Sequence, residues 1–65
     1  MELDEVKKAM RTKQTVNERY YVSGCMLRYN EREGKFFYQA ELHEKDKNSV
    51  IMTRLEDVKG DGEND

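Results

Sequence analysis

His43, Cys25, Ser23 and Ser49 are the side chains in this 65-residue chain best suited to act as nucleophile, base or soft metal ligand. A zinc site needs three or four such ligands, usually with a closely spaced pair, and the chain has one His and one Cys. Serine–histidine catalysis needs the two side chains to meet beside a set of oxyanion donors. Successive strand residues point to opposite faces, and the register argued below sends Ser23 and His43 to different sides. Ser49 stands at a strand end with no sign of an oxyanion hole. Cys25 falls on an inward face, where a free thiol packs as a small hydrophobe. The closing stretch DVKGDGEND imitates a calcium loop, but with Asp57 first, Lys59 takes a position that needs an acid. The glycines at 24, 34, 60 and 62 form no phosphate-cradling loop. These residues predict no enzyme, no metal and no cofactor.

The elements that would carry a binding surface are easier to read. Residues 2–10 (ELDEVKKAM) place Leu3, Val6 and Met10 at helical spacing, with acids first and bases last, as a helix dipole prefers. The alternative is an edge strand from Val6 to Met10. Residues 11–18 are polar and read as a loop or ragged first strand. Residues 19–29, 35–43 and 49–55 are rich in β-branched and aromatic residues. The linkers NEREG and EKDKN end in Gly34 and Asn48, which tolerate positive φ. Together they predict a three-stranded antiparallel meander. Four-residue loops at 31–34 and 45–48 set Tyr29 against Phe36, Leu27 against Tyr38, Cys25 against Ala40, Ser23 against Leu42, and Leu42 against Ile51. One face then reads Tyr21, Cys25, Leu27, Tyr29, Phe36, Tyr38, Ala40, Leu42, Ile51 and Leu55, the expected core. Leu3, Val6, Met10, Val16 and Val58 are left to close over it.

The opposite face holds Tyr20, Val22, Met26, Arg28, Phe37, Val50, Met52 and Arg54. Aromatics, Met and Arg are enriched at interface centres, so these eight form the expected interaction face, with Arg28 stacked on Phe37. Strand propensity alone would also favour Tyr, Phe and Val there.

Gly24 interrupts the long first strand, and Gly inside a strand marks a bend or bulge. A bent strand, a meander and a short turn build a small barrel. The stretches RYYVSGCMLR, FFYQAEL and NSVIMTRLEDV resemble the small SH3-like β-barrel proteins of unknown function from Firmicutes bacteria and their prophages. The resemblance spans about residues 19–58. It implies a mainly β fold, a small SH3-like barrel or the meander with a short N-terminal helix or strand packed on it. It also implies a phage-like setting, and no catalytic residue.

Composition narrows the function classes. The net charge is −2. Residues 7–35 carry eight bases against three acids, whereas 56–65 carry five acids and one Lys. We expect one small domain over 1–58 and a disordered acidic tail over 59–65. A lone Cys suits a reducing cytoplasm, and no apolar run approaches the ~18 residues of a membrane span. The expected function is a non-catalytic protein–protein interaction module. In the phage-like setting it would be a modulator of a host protein. The partner would be another protein, a second copy included. A nucleic-acid-binding small barrel and a structural self-associating protein are the alternatives.

Overall fold

The computed structural model describes residues 1–61. Helix α1 (Leu3–Thr12) is followed by strands β1 (Thr15–Val16), β2 (Tyr20–Asn30), β3 (Lys35–Glu44) and β4 (Val50–Arg54), then a 3₁₀ turn (Leu55–Asp57). The strands form one antiparallel sheet in the order β1-β2-β3-β4, curled into a half-barrel with α1 packed on it. The mainly β expectation holds, and residues 2–10 resolve to helix rather than strand. The Glu2 N–H donates to Glu5 Oε1 at 2.8 Å, Asp4 and Glu5 occupy the first turn, and Arg11 the last. Lys13, at φ 57°, reverses the chain and ends the helix.

Turn chemistry fixes the two hairpins. Asn30 Oδ1 accepts from the N–H groups of Arg32 and Glu33, and Gly34 takes the positive φ of 64° that returns the chain to β3. Tyr29 then faces Phe36, Leu27 faces Tyr38 and Cys25 faces Ala40, as the alternation predicts. In the second hairpin Leu42 faces Ile51 and Ala40 faces Thr53. Its left-handed residue is Asp46, at φ 70°, in place of the expected Asn48. Leu55 begins the 3₁₀ turn and does not extend the ladder opposite Tyr38.

Beyond Gly24 the expected register fails. A bulge between Val22 and Gly24 makes Ser23 an extra residue, so Val22, not Ser23, faces Leu42. The bulge inverts the parity of everything before it. Tyr20 and Val22 turn to the covered side and Tyr21, opposite His43, to the other. Val22 is buried and Tyr20 packs against the core. Neither belongs to the expected outer interaction face.

The core comprises Val6, Ala9, Val16, Val22, Ala40, Leu42 and Val58, flanked by Met1, Met10, Tyr20, Cys25 and Leu55. Ala9 takes the place expected for Leu3, because Val6, Ala9 and Met10 share a helix stripe at i, i+3, i+4. Small side chains let α1 sit close on the sheet. They also limit what it covers. A ten-residue helix spans ~15 Å, whereas an eleven-residue strand spans ~36 Å. Even laid along β2, α1 leaves half of the strand bare.

The chain closes through its C-terminal segment. The Asn17 N–H donates to Lys59 O at 2.8 Å, and the Lys59 N–H donates back to Asn17 Oδ1 at 2.7 Å. Asn17 Nδ2 donates to Asp57 O at 3.2 Å, and Val16 bridges Gly60. The Glu18 N–H donates to Asp61 Oδ1 at 2.7 Å. Residues 59–61 therefore pair with β1 and belong to the domain rather than to a tail. Residues 62–65 of the expected tail lie outside the described residues.

Candidate functional site: an uncovered aromatic face

The side chains singled out for chemistry are dispersed. Ser23 Oγ donates to Glu41 Oε1 at 2.9 Å and lies 3.2 Å from Glu41 O, which pins the bulge. His43 stands between Tyr21 and Val50 in the ladder. Cys25 is a free thiol opposite Ala40, half-buried against the core. Among the described residues no group of three or more His, Cys, Asp or Glu could hold a metal ion. Glu44, buried at the sheet end, is paired with Arg19 at 3.3 Å and Lys47 at 3.8 Å, a structural role.

The expected outer interaction face is only partly available. Without Tyr20 and Val22 it holds Met26, Arg28, Phe37, Val50, Met52 and Arg54. Arg54, rather than the expected Arg28, lies over the Phe37 ring, 4.9 Å from its centroid. Register explains the exchange, since Gln39 faces Arg54 and Phe37 is the diagonal neighbour two residues along. Phe37 is half-buried under that guanidinium, and Met26 is half-buried as well.

The larger apolar surface lies on the other side, where a core was expected. Leu27, Tyr29, Phe36 and Tyr38 are 55%, 53%, 68% and 41% exposed. They form two adjacent cross-strand pairs, Leu27 with Tyr38 and Tyr29 with Phe36, the last two rings 4.8 Å apart. Three aromatics at these exposures, with Leu27, leave roughly 300 Å² or more of apolar area. That reaches the size of the largest, often functional, patch on a small monomer. Two structural facts produce it. The helix ends short of this half of the sheet. In addition, β4 stops at Arg54 opposite Gln39, so Lys35–Tyr38 have β2 on one side and no strand on the other.

Charge is sorted by the pleat. Arg28 faces Phe37 and Lys35 faces Asn30, so both bases alternate to the side away from the aromatics. The patch runs into an open cleft lined by Met1, Leu3, Tyr38 and Leu55, and the cleft's charged side chains are Glu2, Glu5 and Glu56. The Met1 ammonium, whose charge also lies here, is engaged. It donates to Leu55 O at 2.7 Å and Val58 O at 3.0 Å and holds the 3₁₀ turn as the cleft wall. An apolar floor with an acidic border is the electrostatic result.

No family model, curated protein or solved structure matches this chain. No helix among the described residues is long and apolar enough to cross a membrane.

Proposed function

We propose that this chain is a non-catalytic protein-binding module that grips its partner with the uncovered aromatic half of the sheet face that carries α1. The observation that carries this reading is the contiguous exposed quartet Leu27, Tyr29, Phe36 and Tyr38. The partner segment it suits is apolar with flanking Lys or Arg, because the charged side chains bordering the cleft are Glu2, Glu5 and Glu56. The same sorting of charge weighs against nucleic acid. Exposed aromatics could stack bases, yet Arg28 and Lys35 alternate to the opposite side and the cleft border would repel phosphate. The SH3-like reading, a phage-encoded modulator role and a cytoplasmic setting belong to this proposal. A bent β2, the following meander and the closing 3₁₀ turn support the first, and the free Cys25 supports the last.

Selection from a library of displayed peptides tests the reading. Enriched peptides should combine large apolar residues with Lys or Arg, and Phe36→Ser should weaken them at least ~10-fold, about 1.4 kcal/mol. Peptides with no basic or apolar bias, or unchanged affinity for the Phe36→Ser protein, would remove it. Salt-dependent binding of single-stranded oligonucleotides in their place would establish the nucleic-acid alternative.

A further inference from the structure

Strand β4 is an edge of the sheet, and its stretch Val50–Met52 carries no charge, Pro or bulge. Edge strands ordinarily avoid pairing with other chains through charge, Pro, bulges or short length. Here Val50, Ile51 and Met52 are consecutive apolar residues, 48%, 42% and 43% exposed. The β3–β4 ladder through them has no bulge. The direction of the free backbone groups follows from the ladder. The Glu44 N–H donates to Ser49 O at 2.9 Å, and Glu44–Ser49 continues the same register as His43–Val50. Antiparallel pairs alternate between hydrogen-bonded and non-hydrogen-bonded. Ile51 and Thr53 therefore spend their N–H and C=O on β3, and Val50 and Met52 present theirs at the open edge.

We propose that this edge is completed by a second copy of the chain, β4 pairing antiparallel with β4 about a two-fold axis at Ile51. Directly opposed residues must share a face, so an antiparallel two-fold can be centred only on a residue of the strand. Centring on Met52 sets Ile51 against Thr53 and Val50 against Arg54. Centring on Val50 sets Ile51 against Ser49 and Met52 against Asn48. Centring on Ile51 opposes Ile51 to Ile51 on one face and Val50 to Met52 of the second copy on the other. In that register all three apolar residues meet apolar partners, and the pair Val50–Met52 exchanges the outward N–H and C=O groups. Arg54 then meets Asn48 of the second copy and Ser49 meets Thr53, so no like charges collide. The paired strand is five residues long. A strand of that length falls short of the ~800 Å² per partner of a standard stable interface, so the dimer is weak and concentration-dependent, with half-association expected at roughly tens to hundreds of micromolar. This surface is separate from the aromatic quartet, and neither reading depends on the other.

Sedimentation velocity of the full chain from about 5 µM to 1 mM tests the proposal, with circular dichroism to confirm folding of each variant. The wild type should pass from monomer to dimer. Met52→Lys should weaken association at least tenfold, because it buries a charge opposite an apolar residue in both symmetric contacts. Adding Val50→Glu to Met52→Lys should recover most of that loss, since the two-fold at Ile51 sets the new carboxylate beside the new ammonium. The Met52-centred register would set two ammonium groups together and the new carboxylate against Arg54, so Val50→Glu alone would strengthen association there, whereas the two-fold at Ile51 makes that single change weaken it. Phe36→Ser should leave association unchanged. A wild type that stays monomeric to 1 mM overturns the proposal, as does a Met52→Lys protein that associates normally. Failure of the double variant to recover overturns the register, and loss of the dimer with Phe36→Ser would move self-association to the aromatic face.

Discussion

Two halves of one sheet face differ completely in what covers them. At one end Val22, Ala40 and Leu42 are sealed under Val6 and Ala9 of α1, with Val16 and Val58 at the sides. At the other, Leu27, Tyr29, Phe36 and Tyr38 continue the same side of the same strands and stay exposed, with only Tyr38 bordered by the start of α1 across the open cleft. The difference shows that alternation decides which face a residue joins, whereas the length of the covering element decides whether that face is buried. It also inverts the usual allocation of residue types. None of the six aromatics is among the fully buried residues, and the sealed half is built from four Val, two Ala and one Leu. Small residues allow a short helix to seat closely. Tyr29, Phe36 and Tyr38 are left on the open side, where contact area is most useful to a partner.

The sharpest way to break this comparison is to make one substitution in both halves. Leu42→Ala should cost ~2–5 kcal/mol, the range for a sealed Leu, and leave a domain of this size largely unfolded at 37 °C. Leu27→Ala should cost less than about 1 kcal/mol, since its side chain already faces water. Urea denaturation of the two variants gives both values, and equal costs would mean that the distal half is covered in solution.

The closure by Asn17 ranks next. Its side chain bonds Asp57 O and the Lys59 N–H, and its backbone holds φ 48°. Asn17→Ala removes two hydrogen bonds and disfavours the left-handed turn, and should cost ~1–3 kcal/mol. Asn17→Gly keeps the backbone freedom and should recover part of that loss. The thermal midpoints of the two proteins check the order.

Neighbouring phenylalanines offer a finer contrast. Phe37 is half-buried beneath Arg54, and Phe36 is the most exposed large apolar residue described. Phe37→Ala should cost ~1–2 kcal/mol and Phe36→Ala less than that, given that sealed Phe costs ~3–5. Arg54→Ala should have the smallest effect, ~0.5–1 kcal/mol, the value of an exposed cation–π contact. Chemical denaturation of all three resolves the ranking.

Much of this architecture is legible in the sequence, for identifiable reasons. Asn30 and Gly34 define the first hairpin, and the pattern from Leu27 to Leu42 fixes the distal ladder. Leu42 opposite Ile51 follows from the second loop. Gly24 signals an irregularity, but a bend that keeps the register and a bulge that adds a residue read alike in sequence while giving Tyr20 and Val22 opposite fates. That one extra residue is why alternation alone puts those two on the wrong face. The clamp by Asn17 is invisible for another reason, since its partners at 57–59 lie 40 residues away and an Asn in a polar loop has many local uses. The quartet reads as core because its pattern is that of a buried face. Pattern gives the side a residue faces, and the reach of α1 must be known before burial follows.

The distal half of the sheet face that carries α1 is open to water in the free protein. The most direct measurement is side-chain NMR of a dilute sample with a neutral gadolinium chelate added as a solvent-accessible relaxation agent. The resonances of Leu27, Tyr29, Phe36 and Tyr38 should broaden strongly, and those of Val6, Ala40 and Leu42 should not. Phe36 and Leu27 signals as protected as those of Leu42 would contradict it.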